Sequence, residues 1–390
     1  MKNLLLLSVL IPLCFSCQDK KVHENTNYPE FSWDHVPLYM HMRKSEAFNQ
    51  EELQYLATFP IITLEKTTGS ATYGSTEKGS LEAAKGIKNI NPNAKVLYYR
   101  NIIVHYGGYD SNGSIDKIDH PFLTNSVGES KLVHDGKREA YDLTNPALRK
   151  WWVDHCVEMA ANDQIDGIFI DGNIKALEPE FLGKEIGTEK KLEVVAAYIQ
   201  TMKELDERIG DDKLLIANLI RARLTNSGLD YLDYVDGSYI EGFEIEANGY
   251  KRLEYITKGI DAIQQAARKG KIICFTMGLG KAKKTGIGID DTRMKAEAEL
   301  VQDRLTYSLS VFLICAEKYS YFFASDGYSA NGNDSSVWLK LFPEYKKPLG
   351  PPLGPAKKED NIYTREFEHV SVWLDIEHEQ AKIIWDSDNK

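Results

Sequence analysis

Two hydrophobic periods alternate along this chain. Short, mostly apolar runs rich in β-branched and aromatic residues predict buried strands. They are Val36 to Met42, Ile61 to Glu65, Val96 to Tyr99, Gly167 to Ile170, Leu214 to Leu219, Val235 to Ile240, Ile272 to Met277 and Tyr319 to Ala324. Most are separated by stretches with a helical period: Glu51 to Phe59, Ser80 to Ile90, Leu192 to Ile209, Leu253 to Arg268 and Met294 to Ile314. A further helix opens at Asn145-Pro146, where Asn145 suits the cap and Pro146 the first turn. Its Leu148, Trp152, Cys156 and Met159 recur as one buried stripe. Residues Asn101 to Ala140 are rich in Gly, Asp and Ser and predict a long loop. The link between the fifth and sixth strands is short and only weakly helical.

Alternation of this kind implies right-handed parallel crossovers. Eight units predict an α/β fold closed as a (β/α)8 TIM barrel. An open doubly wound sheet would carry a glycine-rich phosphate turn early, and Gly278-Leu279-Gly280 is late and lacks the third glycine. After Pro348 the composition changes to the turn-rich Leu349-Gly350-Pro351-Pro352-Leu353-Gly354-Pro355. Tyr363 to Leu374 and Lys382 to Trp385 then predict antiparallel strands, a small C-terminal β appendage. The expected organisation is a signal peptide over 1–17, a tether over 18–30, the barrel over 31–347, and linker plus appendage over 348–390.

The first residues set the address. A Lys2 start, an apolar run from Leu4 to Phe15, and Ser16-Cys17 form an export signal. The apolar run is too short to span a bilayer. Ser16-Cys17 resembles a bacterial lipoprotein cleavage site, with Cys17 as the lipidated residue. Ordinary secretion is the alternative. The expected location is the cell envelope, on the periplasmic face or the outer-membrane surface, with the membrane met only through the lipid. The remaining Cys156, Cys274 and Cys315 lie in apolar patterns and predict small buried hydrophobes. A net charge of −11 argues against nucleic acid as a partner. No His or Cys cluster has metal-ligand spacing, and no cofactor is expected.

In a barrel, chemistry collects at the C-terminal ends of the strands. Those ends offer His41 and Arg43, Glu65 and Lys66, Arg100 and Asn101, then His105 and Tyr106. Further round come Asp171 and Asn173, Asn218, Arg221 and Arg223, Glu241 and Glu244, Lys281, and Ser325 with Asp326. Asp171 and Glu241 are the expected catalytic pair, because glycosidic cleavage uses two carboxylates. The competing account is that one of them only pairs with Arg43, Arg100 or Arg221. His41 and His105 are further acid/base candidates. Arg43, Lys66, Arg100, Arg221 and Lys281 form a cationic rim that would suit a sulfated or uronate sugar. Neutralisation of the barrel's own acids is the plainer reading. Tyr106, Asn173 and Asn218 complete the expected substrate contacts. Tyr98, Tyr239 and Phe243 are either sugar platforms or core.

Three segments carry a resemblance. They are Tyr141-Asp142-Leu143-Thr144-Asn145-Pro146 before a Trp-rich helix, followed by Asp166-Gly167-Ile168-Phe169-Ile170-Asp171-Gly172, and the closing Tyr363-Thr364-Arg365-Glu366-Phe367-Glu368-His369-Val370. With these the chain resembles the glycoside hydrolase barrels of bacterial polysaccharide-degrading lipoproteins, many of them hypothetical enzymes. It is distantly similar to endo-polygalactosaminidase barrels, a likeness that marks Asp171 and, after it, Glu241. The glycine usual after the Arg-x-Phe element is replaced here by Glu368-His369. The resemblance implies a carbohydrate-active hydrolase on a complex polysaccharide or oligosaccharide, and the cationic rim points to an anionic one. Two alternatives stand beside it. One is a lyase or dehydratase on uronate-bearing oligosaccharides, with His41, His105, Tyr106 or Lys66 as base and Arg100 or Arg221 over the acid. The other is a glycan-binding barrel without catalysis.

Overall fold

The computed structural model describes residues 27–241, 243, 251–279, 291–325, 327–331 and 338–386, with the helix but not the side chains of 291–301. The expected signal peptide, Cys17 and most of the expected tether lie outside the described residues. Its last residues, from Asn27, lie against the barrel. The Tyr28 ring packs edge-on to Tyr319 at 5.0 Å, and the Tyr321 hydroxyl donates to the Pro29 carbonyl at 3.1 Å.

Eight strands pair in parallel, each with the next: β1 (Met40–Met42), β2 (Ile61–Leu64), β3 (Lys95–Asn101), β4 (Gly167–Asp171), β5 (Leu214–Asn218), β6 (Gly237–Ile240), β7 (Ile272–Gly278) and β8 (Ser320–Ser325). The ring is completed by parallel bridges Leu38–Phe322 and Arg43–Ser329. The Tyr39 N–H also donates to the Phe322 carbonyl at 3.0 Å. The expected TIM barrel with a C-terminal β appendage is the observed fold. Its connections carry α1 (Gln50–Leu56), α2 (Ser70–Tyr73), α3 (Thr76–Ile90), α4 (Pro146–Ala160), α5 (Asn173–Leu177), α6 (Gly183–Ile186), α7 (Thr188–Ile209), α8 (Arg252–Arg268) and α9 (Asp291–Cys315).

Helices α3 and α7 begin a turn before their apolar stripes do, because their first turns are polar. Ser75 caps α3 by accepting from the Lys78 N–H. Helix α4 starts as its sequence predicts: Asn145 accepts from the N–H groups of Ala147 and Leu148, and Pro146 follows. Trp152 on its buried face donates to the Asn101 carbonyl at 2.9 Å and so fixes the end of β3. The long 101–140 connection is more ordered than a plain loop. It holds a 3₁₀ segment, Asp110–Lys117, and antiparallel bridges Val104–Ala140 and Phe122–Tyr141. The weakly helical link before β6 is a 3₁₀ segment, Thr225–Tyr234, broken by left-handed Asn226, Ser227 and Gly228.

Strands β4 and β6 are built alike. Each starts after an aspartate with a glycine, carries an aromatic residue in its middle, and leads to a carboxylate. The pieces are Asp166-Gly167-Ile168-Phe169-Ile170-Asp171 and Asp236-Gly237-Ser238-Tyr239-Ile240-Glu241. Asp166 accepts from the Val96 N–H at 2.7 Å and Asp236 from the Leu215 N–H at 2.8 Å. A Cβ on Gly167 would sit 2.1 Å from the Leu214 carbonyl oxygen, so only glycine allows the strands this close. Phe169 and Tyr239 meet edge-to-face inside the barrel at 5.3 Å. Cys156, Cys274 and Cys315 are free and buried, as small core residues.

The appendage is an antiparallel sheet of β9 (Lys357–Glu359), β10 (Ile362–Glu366), β11 (Val370–Asp375) and β12 (Gln380–Trp385). A turn at Phe367–His369 splits what the sequence offers as one run. Arg365 is its tie to the barrel. The guanidinium donates to the carbonyls of Leu313, Ile314 and Ala316 and to Glu317. Leu313 and Ile314 carry two of the last carbonyls of α9 and Ala316 lies just past its end, so no helical N–H satisfies them. The cation also complements the negative end of the helix dipole. Its neighbour Phe367 packs on Trp33 at 5.9 Å, so the Arg-x-Phe element is structural. Replacing Arg365 by Met should cost about 2–4 kcal/mol, since it orphans several buried acceptors at once. Denaturant midpoints of wild type, Arg365→Met and the exposed control Glu359→Gln measure this. An unmoved midpoint for Arg365→Met would remove the helix-cap role.

Candidate active site

The C-terminal mouth of the barrel gathers side chains of one parity. Cα register pairs Asn101 with Asp171 and Ile170 with Ala217, which sets Asn101, Asp171 and Asn218 at one level facing inward. Glu65 and Tyr99 lie one inward-facing level below, and Glu241 follows β6 above Tyr239. Gly172 makes the turn after β4 possible. Its φ is +83°, and a Cβ there would fall 2.5 Å from the Asn101 side-chain oxygen.

Asp171 is held by three neutral donors. The Tyr99 hydroxyl donates to Oδ2 at 2.6 Å, the Asn101 amide to the same oxygen at 3.2 Å, and the Asn218 amide to Oδ1 at 3.2 Å. Burial pushes this carboxyl up. The Tyr99 hydroxyl, Lys66, the Gly172 N–H and Lys175 outweigh it, so Asp171 is held below the ordinary carboxylate range. The same Asn218 nitrogen donates to Glu241 Oε2 at 2.9 Å. One amide nitrogen thus joins the two carboxylates, and their nearest oxygens are no further apart than its two hydrogen bonds together. Glu241 also accepts from Arg221 at 3.1 Å and from the Tyr328 hydroxyl at 3.0 Å. Tyr239 donates in turn to Tyr328 at 2.8 Å. Burial pushes the phenols of Tyr99, Tyr239 and Tyr328 up and keeps them protonated donors.

A third carboxylate, Glu65, completes the mouth. Lys66 Nζ lies 2.6 Å from it, His41 Nε2 3.6 Å and Arg43 3.9 Å. Burial pushes Glu65 up, but His41 and Lys66 outweigh it and hold it below the ordinary range. His41 is 2 % exposed. It stacks on Tyr239 at 4.9 Å and shares a hydrogen bond with the Tyr39 hydroxyl at 2.9 Å. It belongs to the floor beneath Glu65, where it meets Tyr39, Glu65 and Tyr239. Above the floor, Lys66 lies over the rings of Tyr99 at 4.8 Å and Tyr106 at 5.2 Å. The Tyr106 hydroxyl is 2.9 Å from His134 Nε2.

Three expected site residues lie elsewhere. Arg100 pairs in register with outward-facing Ile170, so it points away from the mouth, over the rings of Tyr109 and Trp151. Asn173 is fully buried and ties the start of α5 to β4, by donating to the Ile170 carbonyl, and to α7, by accepting from the Tyr198 hydroxyl. His105 hydrogen-bonds Tyr141 at 2.9 Å and packs on Phe122, within the 101–141 connection. Of the possible sugar platforms, Tyr239 is floor and Phe243 packs on Phe275. Lys281, Glu244 and Asp326 lie outside the described residues. Tyr99, Glu65, Asn101 and Tyr328 join the expected set. Among the described residues no cluster of three His, Cys, Asp or Glu side chains could hold a metal. No described helix is long and apolar enough to cross a membrane.

Removing the Tyr99 hydroxyl tests this electrostatic picture without a substrate. Tyr99→Phe should destabilise the protein by about 1–3 kcal/mol at neutral pH, where Asp171 is ionised. A depressed carboxyl contributes stability above its unfolded pKa and loses it as pH falls through the folded one. The gap between wild type and variant should therefore narrow below the ordinary carboxylate range. Thermal melts from pH 7 downward measure it, and a gap that stays constant would mean that the hydroxyl does not serve the charge.

Among solved structures the chain is similar to an α-amylase from Anoxybacillus, at 12% identity over 88% of this chain and 87% of that one, TM-score 0.48. It is similar to an α-galactosidase from Geobacillus stearothermophilus at 11% identity, over 88% of this chain and 48% of that one, TM-score 0.47. A dextranase from Flavobacterium johnsoniae matches at 12% identity, over 82% and 39%, TM-score 0.46. The chain thus spans about half the length of the galactosidase it matches. No curated protein matches it. A family model described as hypothetical glycosyl hydrolase family 15 matches residues 88–371, which hold Asp171, Asn218, Glu241 and the Arg365 tie. By that match, which covers most of its length, the chain belongs to hypothetical glycosyl hydrolase family 15.

Proposed function

We propose that this protein is a retaining glycoside hydrolase with Asp171 as nucleophile and Glu241 as acid/base. The observation that carries this reading is the single Asn218 nitrogen, 3.2 Å from Asp171 and 2.9 Å from Glu241. Carboxylates of retaining enzymes stand about 5–5.5 Å apart, whereas inverting pairs stand about 6.5–9.5 Å apart to admit a water. One nitrogen holding an oxygen of each acid keeps those oxygens within about 6 Å, which supports the shorter, retaining spacing. Asp171 is the nucleophile because its environment favours the anion. Glu241 has the more open side chain, 40% exposed, on the flank where a leaving group departs and water enters. In the first step Asp171 Oδ attacks the anomeric carbon as the glycosidic C–O bond breaks and Glu241 protonates the leaving oxygen. In the second, Glu241 takes a proton from water, which attacks the same carbon and releases Asp171.

The anionic-substrate reading rests on fewer cations than the sequence offers. Arg100 faces outward, Lys66 is neutralised by Glu65 and Arg221 by Glu241. Arg43 has a side chain 34% exposed and only a 3.9 Å contact to Glu65. We therefore propose Arg43 as the mouth cation that meets an acidic substituent. Elimination has less support: of its four candidate bases, His105 is turned away, His41 is sealed under the carboxylates and Lys66 is paired with Glu65, which leaves Tyr106. Export and lipidation at Cys17 complete the proposal, and metabolic labelling with a fatty acid, lost in Cys17→Ala, tests them.

Oligosaccharide products from a glycan panel, followed by NMR, test the reaction. The expected outcome is gain of water with the anomeric configuration retained. Inversion would refute the role given to Asp171, and loss of water would indicate elimination. Asp171→Asn should lower turnover by about 10²–10⁴-fold, while Glu241→Gln should spare glycosides with activated leaving groups. On an acidic glycan, Arg43→Met should weaken binding and flatten its salt dependence. A neutral glycan preferred with no salt effect would exclude the acidic substituent.

A further inference from the structure

A cleft of about 500 Å³ opens on the outer wall of the barrel, between α3, α4 and the Asp110–Lys117 segment. Arg100 lines it and is 2% exposed. The Nε and Nη2 of this buried cation have no hydrogen-bond partner, and no carboxylate pairs with it among the described residues. Its neighbours are the faces of Tyr109 at 4.3 Å and Trp151 at 5.3 Å. Aromatic faces attract a cation but leave its N–H groups unmet. The Ser111 hydroxyl, also on the cleft wall, is buried and unpartnered as well. Natural interiors seldom leave several such groups unsatisfied beside open space. Around them, Tyr98, Leu81 and Met159 give apolar walls, and Asp110, Glu158 and Asn162 give polar ones.

We propose that this cleft is a second binding site, for a sugar acid whose carboxylate meets Arg100. The planar guanidinium matches a carboxylate in two parallel bonds. The hydroxyls of the sugar meet Ser111, Asp110 and Glu158, and its ring lies along the apolar wall. The volume suits a monosaccharide-sized ligand. Arg100 and the mouth carboxylates lie on opposite sides of the strand layer, so this site is independent of the proposed hydrolysis.

Titration calorimetry on the full chain tests it, with glucuronate, glucose and acetate as probes. Glucuronate should bind more tightly than either control. Arg100→Met should weaken it at least about tenfold, the loss expected for a charge-assisted pair. Gly113→Trp keeps Arg100 and places a ring at the cleft edge, where a Cβ meets nothing within 4 Å; it too should block binding, even if Arg100→Met does not fold. Asp171→Asn should bind glucuronate as wild type does. Equal binding of glucose, equal binding of acetate, no glucuronate binding at millimolar concentration, or its loss in Asp171→Asn would each overturn the proposal.

Discussion

Strand parity governs everything that faces the mouth. Adjacent side chains on a strand point to opposite faces, so a shift of one residue would swap the site for the packing layer. The two Asp-Gly starts, at Asp166-Gly167 and Asp236-Gly237, hold β4 and β6 at the height this requires. Each aspartate accepts a neighbouring strand's N–H, and each glycine admits the adjoining backbone. From there the count is fixed: aromatic ring in the floor, carboxylate at or just past the strand's end. Asn218, on the strand between, is then left to bridge the two acids.

The mouth is a study in balanced charge. Glu65, Asp171 and Glu241 are all wholly or partly withdrawn from water, a placement that is costly without partners. Glu65 and Glu241 have cations directly on them, while Asp171 relies on a phenol and two amides. A carboxylate stabilised by neutral donors keeps its oxygens uncommitted to an ion pair. The floor of Tyr39, His41, Phe169 and Tyr239 supplies the rigidity. Stacked rings locked by a hydroxyl network leave the acids little freedom to drift.

Much of this was legible in the sequence. The alternating periods specify the barrel, and strand ends identify Asp171, Glu241, Asn218 and Arg221. What strand ends alone do not give is parity. Arg100 and Asn101 are neighbours, and only register against Asp171 assigns Asn101 inward and Arg100 outward. Asn173 and His105 misled for a related reason, since residues past a strand end turn wherever the loop takes them. Tyr99 and Tyr328 escaped because an aromatic in an apolar run reads as core until its hydroxyl has a partner. The signal that would have helped is the repeated Asp-Gly-x-aromatic-Ile-acid pattern, which marks Tyr239 and Glu241 as counterparts of Phe169 and Asp171. The buried charge of Arg365 was visible only as part of the Arg-x-Phe element, because most of its partners are backbone carbonyls, which carry no sequence code.

The tie between the two ends of the described chain bears on how the molecule is made. Leu349 and Gly350 donate to the carbonyls of Asp34 and Trp33, and Arg365 closes the end of α9. A polypeptide emerging from the ribosome N-terminus first makes neither contact until residues 349–365 have followed the barrel strands out. The ring itself closes through Leu38–Phe322 and Arg43–Ser329, so the early strands wait with an exposed edge until β8 has emerged. A chaperone that shields that edge suits a barrel whose first strand must wait for its eighth.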